Sequence, residues 1–131
     1  MDLEKIRAVF PDFQIGHFHM FHTITSLKWE NIFECESGEE HKNLSLIMTC
    51  SDGYYIKLEF ADVNAMCFRG NGQVSGFYIK DMSGRGYENG SRYEVGDHEE
   101  NEISFYCSDV MVKELVRFQH STRIQKEKRG Q

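Results

Sequence analysis

The sequence predicts an all-β protein with one short N-terminal helix, folded as an antiparallel β-sandwich or a partly open barrel of about seven to nine short strands. Three observations support this class. Apolar and polar residues alternate with period two over most of the 131 residues. Turn clusters recur about every eight to twelve residues. Aromatic residues, which favour strands, make up 13% of the chain.

The clearest single signal is a β-hairpin over residues 44–60. Two alternating segments flank Ser51-Asp52-Gly53, and an Asp-Gly turn between alternating segments is the strongest short-range hairpin signal. We expect the other strands to be arranged around this hairpin. Its predicted inward face carries Leu44, Leu46, Met48, Cys50, Tyr54, Ile56, Leu58 and Phe60.

The remaining elements are predicted in chain order. A helix over residues 2–10 is capped by Asp2 and ended by Pro11. Strands follow at 18–28 and 31–36, or as one long strand with a bulge near Trp29-Glu30. Strands at 63–68, 74–82 and 103–107, a short exposed strand at 92–95 and an acidic turn at 96–101 complete the body. Residues 110–118 fit a strand or a short helix, and 83–90 a loop.

The charge is unevenly distributed along the chain. The net charge is −6, and residues 119–131 carry +3, which leaves −9 for residues 1–118. This balance makes nucleic acid an improbable partner and would attract a basic protein, although solubility alone explains it as well. Residues 1–118 are predicted to form a single β-rich domain. Residues 119–131 lack an apolar face and are predicted to be a disordered basic tail.

The chain is predicted to be cytoplasmic. Its first residues show no signal-peptide pattern, and no apolar run approaches the roughly 18 residues of a membrane span. The four cysteines form no Cys-x-x-Cys pair and lie within or beside apolar runs, so we expect them to be reduced, buried thiols. They are Cys35, Cys50, Cys67 and Cys107.

Two histidines form the most suggestive metal-binding pattern. On a strand, His17 and His19 would share a face about 7 Å apart, and a third ligand would come from Glu34, Asp97 or His98. A histidine-rich edge strand is the simpler interpretation. We therefore expect neither a metal nor a cofactor, and keep a metal-dependent enzyme as an alternative.

A set of outward-facing tyrosines is the stronger candidate for function. Tyr55, Tyr78 and Tyr106 occupy the face opposite the predicted core positions, and Tyr is enriched at protein interfaces. Glu99 and Glu100 add negative charge in a turn, where solvated carboxylates are poor general acids. These five residues are the predicted partner-binding site, and no catalytic residue is predicted.

Several motifs resemble a group of small, uncharacterised bacterial β-proteins, some of which are similar to immunity proteins encoded beside polymorphic toxins. The matching features, between about residues 18 and 112, are Phe21-His22, Leu58-Glu59-Phe60 and the segments 76–81, 92–95 and 103–109. An Asp often follows the histidine in that pattern, whereas Thr23 stands here. The resemblance implies an all-β domain, no known catalytic residues and toxin neutralisation.

Together these observations predict a non-enzymatic domain that binds a basic protein partner. The first alternative is a small-molecule binder that holds its ligand inside a closed barrel. The second alternative is the metal-dependent enzyme that would use His17 and His19.

Overall fold

The computed structural model describes residues 1–83 and 91–118. Within them, eight strands form two four-stranded antiparallel sheets that pack as a sandwich and do not close into a barrel, which confirms the predicted class. A helix, α1 (Glu4–Arg7), and a 3₁₀ helix (Ile15–Met20) precede the strands. The strands are β1 (Phe21–Phe33), β2 (Glu40–Cys50), β3 (Tyr54–Ala61), β4 (Asn64–Phe68), β5 (Phe77–Asp81), β6 (Tyr93–Asp97), β7 (Ile103–Cys107) and β8 (Asp109–Arg117).

The predicted central hairpin is β2 and β3, in the first sheet, whose order is β1-β2-β3-β8. Leu44 lies opposite Phe60 and Met48 opposite Ile56, so the apolar residues of both strands share the inner face. Gly53 has a φ of +86°, and its N–H donates to the Cys50 carbonyl at 3.2 Å. The Asp-Gly pair therefore places glycine at the left-handed position that a short hairpin turn needs.

A bent ribbon of two strand pairs joins the first sheet to the second, whose order is β4-β7-β6-β5. β3 pairs with β8 before the bend, and their continuations β4 and β7 pair after it. At the bend, the Ser108 N–H donates to the Ala61 carbonyl at 2.9 Å. The Ser108 hydroxyl donates to the Asp62 carboxylate at 2.8 Å. These bonds hold the β3–β4 and β7–β8 connections together at one corner of the sandwich.

A second connection joins the sheets at the start of β1. The Ile24 N–H donates to the Gly72 carbonyl at 2.7 Å, and the Val74 N–H donates to the His22 carbonyl at 2.9 Å. The segment that leads into β5 therefore runs along the first residues of β1. This contact closes one side of the sandwich and leaves the rest of β1 at the edge.

The core lies between the two sheets and joins them through aromatic rings. Phe60 of the first sheet meets Phe105 of the second with ring centroids 4.9 Å apart in an edge-to-face arrangement. The buried apolar side chains are, from the first sheet, Phe21, Ile24, Leu44, Leu46, Met48, Cys50, Ile56, Leu58, Phe60, Val110 and Val112 and, from the second, Phe77, Ile79, Tyr93, Val95, Ile103, Phe105 and Cys107.

The predicted strand over 18–28 is wrong at its beginning, where the 3₁₀ helix lies. Phe18 is fully buried in the core and meets Phe77 of β5 with ring centroids 6.5 Å apart. Ile15, Phe18 and Phe21 follow one another at intervals of three, and residues at that interval eclipse in a 3₁₀ helix. The alternation of His with Phe and Met hid this three-residue period.

Other predictions on the N-terminal half needed smaller corrections. β1 is one long strand, and its irregularities lie between Phe21 and Thr23 and between Ile24 and Ser26, not near Trp29. The helix predicted over 2–10 is limited to α1. Asp2 does accept the Glu4 N–H at 2.8 Å at the start of that helix.

In the C-terminal half, β8 shows that residues 110–118 contain a strand and not a helix. The prediction of an exposed strand at 92–95 is wrong, because Tyr93 and Val95 are buried. Two of the four cysteines, Cys35 and Cys67, are exposed and not buried as expected. The loop over 84–90 and the tail over 119–131 lie outside the described residues.

Replacing Phe60 by Ala should lower the free energy of unfolding by about 3–5 kcal/mol, because it removes a ring that bridges the sheets and leaves a cavity. Urea denaturation measures the change. Met111→Ala is the matched control in the same sheet, since Met111 is half exposed and should change the value by only about 0.5 kcal/mol. Equal losses in both variants would contradict this account of the core.

Candidate functional site

The outer surface of the second sheet collects aromatic and acidic side chains. Because Phe77 and Ile79 face the core, Tyr78 between them points outward, and the same alternation turns Glu94 and Tyr106 outward. Glu94 of β6 lies opposite Tyr106 of β7. We call this surface the second-sheet face and define it by Tyr78, Glu94, His98 and Tyr106, with Glu99 and Glu100 in the adjoining turn.

Tyr78 is held across this face by three neighbours. Its hydroxyl donates to the Glu94 carboxylate at 2.7 Å. The His98 ring stacks on the Tyr78 ring with centroids 4.4 Å apart and planes 18° apart. Beneath the ring lies Gly96, where an added Cβ would come within 2.9 Å of the Tyr78 hydroxyl oxygen. The absence of a side chain at Gly96 therefore allows Tyr78 to lie flat and reach Glu94.

The electrostatics keep Tyr78 neutral. Burial, followed by the hydrogen bond to Glu94, raises the pKa of Tyr78 well above its usual value. A neutral phenol with a fixed acceptor is a hydrogen-bonding and packing group and not a general base. Beside it, a cavity of about 550 Å³ is lined by Ile15, Gly16, Tyr78, Ile79, Lys80, Asp81, Glu94 and His98. The arrangement is suited to recognising a surface or an inserted side chain.

The turn between β6 and β7 is built on Asp97, which is 5% exposed. Its carboxylate accepts the N–H groups of Glu102 at 2.8 Å and Ile103 at 3.0 Å through one oxygen, and of Glu100 at 3.1 Å through the other. The Ser75 hydroxyl donates to the Glu99 carboxylate. Asp97 therefore fixes the turn that carries Glu99 and Glu100.

The structure places the five residues of the predicted partner-binding site on two different sheets and an adjoining turn. Tyr78 and Tyr106 lie on the second-sheet face, and Glu99 and Glu100 lie in the exposed turn beside it. Tyr55 lies on the outer face of the other sheet, where its hydroxyl donates to Glu114 at 2.9 Å. The five predicted residues therefore do not form one surface.

His17 and His19 lie on the 3₁₀ helix and not on a strand, so the predicted strand geometry of this pair is wrong. Their ring centroids are 6.4 Å apart. The His17 Nδ1 accepts the Gln14 N–H at 2.9 Å, and the His19 ring lies 3.1 Å from the Gly16 carbonyl through Nδ1. Each histidine thus uses one ring nitrogen to hold its own helix.

The residues that could hold a metal ion lie elsewhere. Within residues 1–83 and 91–118, Glu34, Glu39 and His41 bring their ligand atoms within 4.8 Å of one another. The third ligands predicted for the His17 and His19 pair were Glu34, Asp97 and His98. Of these, Glu34 joins His41 instead, at 3.8 Å from its Nε2, while Glu39 lies 3.5 Å from that atom.

His41 also connects this cluster to the corner of the sandwich. Its Nδ1 donates to the Asp62 carboxylate at 3.1 Å. That hydrogen bond, together with the charges of Glu34 and Glu39, raises the pKa of His41 above its usual value. The hydrogen bonds from His41 and Ser108 lower the pKa of Asp62. The charged pair is therefore favoured in the folded state.

The histidine of the resemblance, His22, makes contacts with two hydroxyl groups. Its Nδ1 lies 2.9 Å from the Thr23 hydroxyl, and its Nε2 lies 3.1 Å from the Ser51 hydroxyl in the β2–β3 turn. The residue that follows this histidine, Thr23, therefore contacts its ring through a hydroxyl group.

The small-molecule alternative was based on a closed barrel, which the strands of residues 1–83 and 91–118 do not form. The sheets form a sandwich, and buried side chains occupy the space between them. No helix in the described part of the chain is long and apolar enough to cross a membrane. No protein-family model, curated protein or solved structure matches this chain.

Sequence reasoning missed Glu94 and His41, and it considered His98 only as a metal ligand and not as the ring that stacks on Tyr78. Tyr78 and Glu94 are far apart in the sequence. They are recognised as neighbours on the outer face only once β5 is known to pair with β6. Gly96, a glycine inside a strand pattern, was the available signal, because such a glycine often marks a close approach of another group.

Replacing Asp97 by Ala should lower the free energy of unfolding by about 3 kcal/mol, because three N–H groups lose their acceptor and two of those hydrogen bonds are buried. Asp97→Asn should cost only about 1 kcal/mol, since its amide oxygen can still accept from Glu102 and Ile103. Chemical denaturation of both variants gives the comparison. Equal effects would show that these hydrogen bonds do not determine the stability of the turn.

The pH dependence of stability should report the His41 and Asp62 pair. His41, with a raised pKa, stabilises the fold below about 6.5, and this contribution is lost as pH rises through its folded-state pKa. Asp62, with a lowered pKa, stabilises the fold above about 3.8, and this is lost on acidification through its folded-state pKa. The stability difference between wild type and His41→Gln should therefore be largest between these values and shrink above pH 7.

Urea midpoints measured across pH give this difference directly. His19→Gln is the control, because the ring of His19 contacts a backbone carbonyl and not a carboxylate. A wild-type minus His41→Gln difference that stays constant from pH 5 to pH 9 would contradict the assignment.

Proposed function

We propose that this protein is a non-enzymatic, cytoplasmic protein-binding domain that neutralises a basic partner, in the manner of a bacterial immunity protein. The observation that carries the proposal is the second-sheet face. There, two tyrosines lie beside Glu94 and next to a turn that presents Glu99 and Glu100. Although Lys80 lies opposite Glu94 on the same face, aromatic groups next to three carboxylates are suited to a basic protein surface.

Net charge supports the same kind of partner. Residues 1–118 carry −9, and a body of that charge accelerates encounter with a positively charged protein. Because the acidic turn adjoins the tyrosines, the attraction would direct a partner to the second-sheet face. The exposed thiols of Cys35 and Cys67 support a reducing compartment.

The geometry of Tyr78 supports a role as an anchor. Its ring is fixed by Gly96, Glu94 and His98 before any partner arrives. A fixed aromatic group loses little conformational freedom on binding, so more of its buried area contributes to affinity. Tyr106 lies in β7, which β6 separates from the strand of Tyr78, and it is 38% exposed, which leaves area for a partner to cover.

The partner should be captured from the cytosol of the source cells at low salt with the full chain, identified by mass spectrometry and then titrated in purified form. Tyr106→Ala should weaken binding about tenfold or more, as loss of an aromatic anchor usually does. Added salt should weaken the wild-type complex further. If the partner is a toxin, an equimolar amount of this protein should suppress its activity.

Tyr55→Ala is the matched control, because Tyr55 lies on the opposite sheet and its loss should change affinity less than about twofold. Thermal unfolding of both variants verifies that each remains folded. Equal loss of affinity in the two variants would contradict the assignment of the second-sheet face. A tight complex that is insensitive to salt would contradict a basic partner.

A further inference from the structure

One edge of the first sheet presents backbone groups that no described strand pairs. β1 is the outermost strand of that sheet, and its neighbour on the free side reaches only His22 and Ile24. Residues 25–33 therefore form an edge segment, and three large apolar side chains on it are exposed. These are Trp29 at 42%, Ile32 at 40% and Phe33 at 58%.

The register of β1 on β2 determines which backbone groups point outward. Lys42, opposite Asn31, directs its carbonyl away from β1, because that carbonyl accepts the Val63 N–H at 2.7 Å. In an antiparallel pair, residues opposite each other either both face the partner strand or both face away. Asn31 therefore points its N–H and C=O outward, as do its alternate neighbours Trp29 and Leu27.

A hydrogen bond at the end of β1 shows independently which residues face β2. The Glu34 N–H donates to the Glu39 carbonyl at 2.8 Å, so Glu34 faces the β2 side. Phe33 then faces outward by alternation, in agreement with Asn31 and Trp29. The edge thus offers a regular series of donors and acceptors at residues 27, 29, 31 and 33.

We propose that this edge pairs with the same edge of a second copy of this chain, antiparallel, about a two-fold axis beside Trp29. Trp29 is the midpoint of the free segment 25–33, so pairing about it gives the longest overlap. Trp29 lies opposite Trp29 of the second copy, and Leu27 opposite Asn31. Because these residues point outward, each pair exchanges its N–H and C=O groups, and the two first sheets become one continuous sheet.

Charge complementarity selects this register. With the axis at Trp29, Lys28 lies opposite Glu30 of the second copy, and Glu30 opposite its Lys28. Both pairs occupy positions without backbone hydrogen bonds, where opposing side chains approach most closely. An axis at Lys28 or at Glu30 would place like charges opposite each other. Of these three axes, only the one at Trp29 places both charged residues opposite a residue of opposite charge.

An exposed edge with large apolar side chains is otherwise a hazard, because it can pair with any other chain. Closed two-fold pairing removes that hazard at β1, since each copy contributes its β1 edge to the same contact. The second-sheet face lies on the other sheet and remains uncovered in this arrangement. The inference therefore does not depend on the proposed function.

The test is the mass of the full chain in solution, measured by sedimentation equilibrium. Wild type should be a dimer in the micromolar range. Lys28→Glu and Glu30→Lys should each weaken self-association about tenfold or more, because each replaces two opposite-charge pairs with like-charge pairs. An equimolar mixture of the two variants should form a heterodimer, and the double variant should regain self-association.

A backbone variant tests the edge itself. Asn31→Pro removes one outward N–H, and proline is tolerated at a strand edge whose N–H faces solvent. This variant should keep its circular dichroism spectrum and become monomeric. A wild type that is monomeric throughout the micromolar range would overturn the proposal. A dimer that survives both Asn31→Pro and the single charge reversals would also overturn it.

Discussion

The hydrogen-bonded corner at Asp62 and Ser108 is the constraint on which the two-sheet arrangement depends. A ribbon that begins as β3 and β8 and continues as β4 and β7 must turn at the same level in both of its strands, or its register is lost. Asp62 adopts a φ of +54°, a conformation that Asp tolerates better than most residues. Its carboxylate then binds the side chains that come from β2 and from the β7–β8 connection. One acidic residue thus coordinates three separate segments.

Much of this fold could be predicted because its strands follow the simplest rule in the sequence. The β2–β3 hairpin has strict alternation and an Asp-Gly turn, and both survive in the structure. The 3₁₀ helix could not be separated from a strand, because His17, Phe18, His19 and Met20 also alternate. Residues 92–95 are predicted to be exposed, yet the position of β6 between β5 and β7 buries Tyr93. That position is a property of strand order, which local pattern does not encode.

The candidate site was only half predictable for the same reason. Residue type and parity identified Tyr78 and Tyr106 as outward-facing, but parity alone assigned Tyr55 to the same surface. Which sheet a strand joins depends on the ribbon bend. The role of Asp97 was also hidden, because an Asp in an acidic turn is usually solvated. Here that carboxylate replaces missing strand partners for three N–H groups. A dimer formed through β1 would carry two second-sheet faces, and a partner with repeated basic sites could engage both.

The pairing of β3 with β8 has a consequence for synthesis of the chain. Translation proceeds from the N terminus, so β3 emerges well before the segment that covers its second edge. Until residues 109–117 leave the ribosome, the nascent first sheet has an uncovered strand on both sides, β1 and β3. Long-range pairing of this kind slows folding and prolongs the exposure of unpaired strands. The nascent chain therefore exposes unpaired strands for longer than an arrangement of local hairpins would.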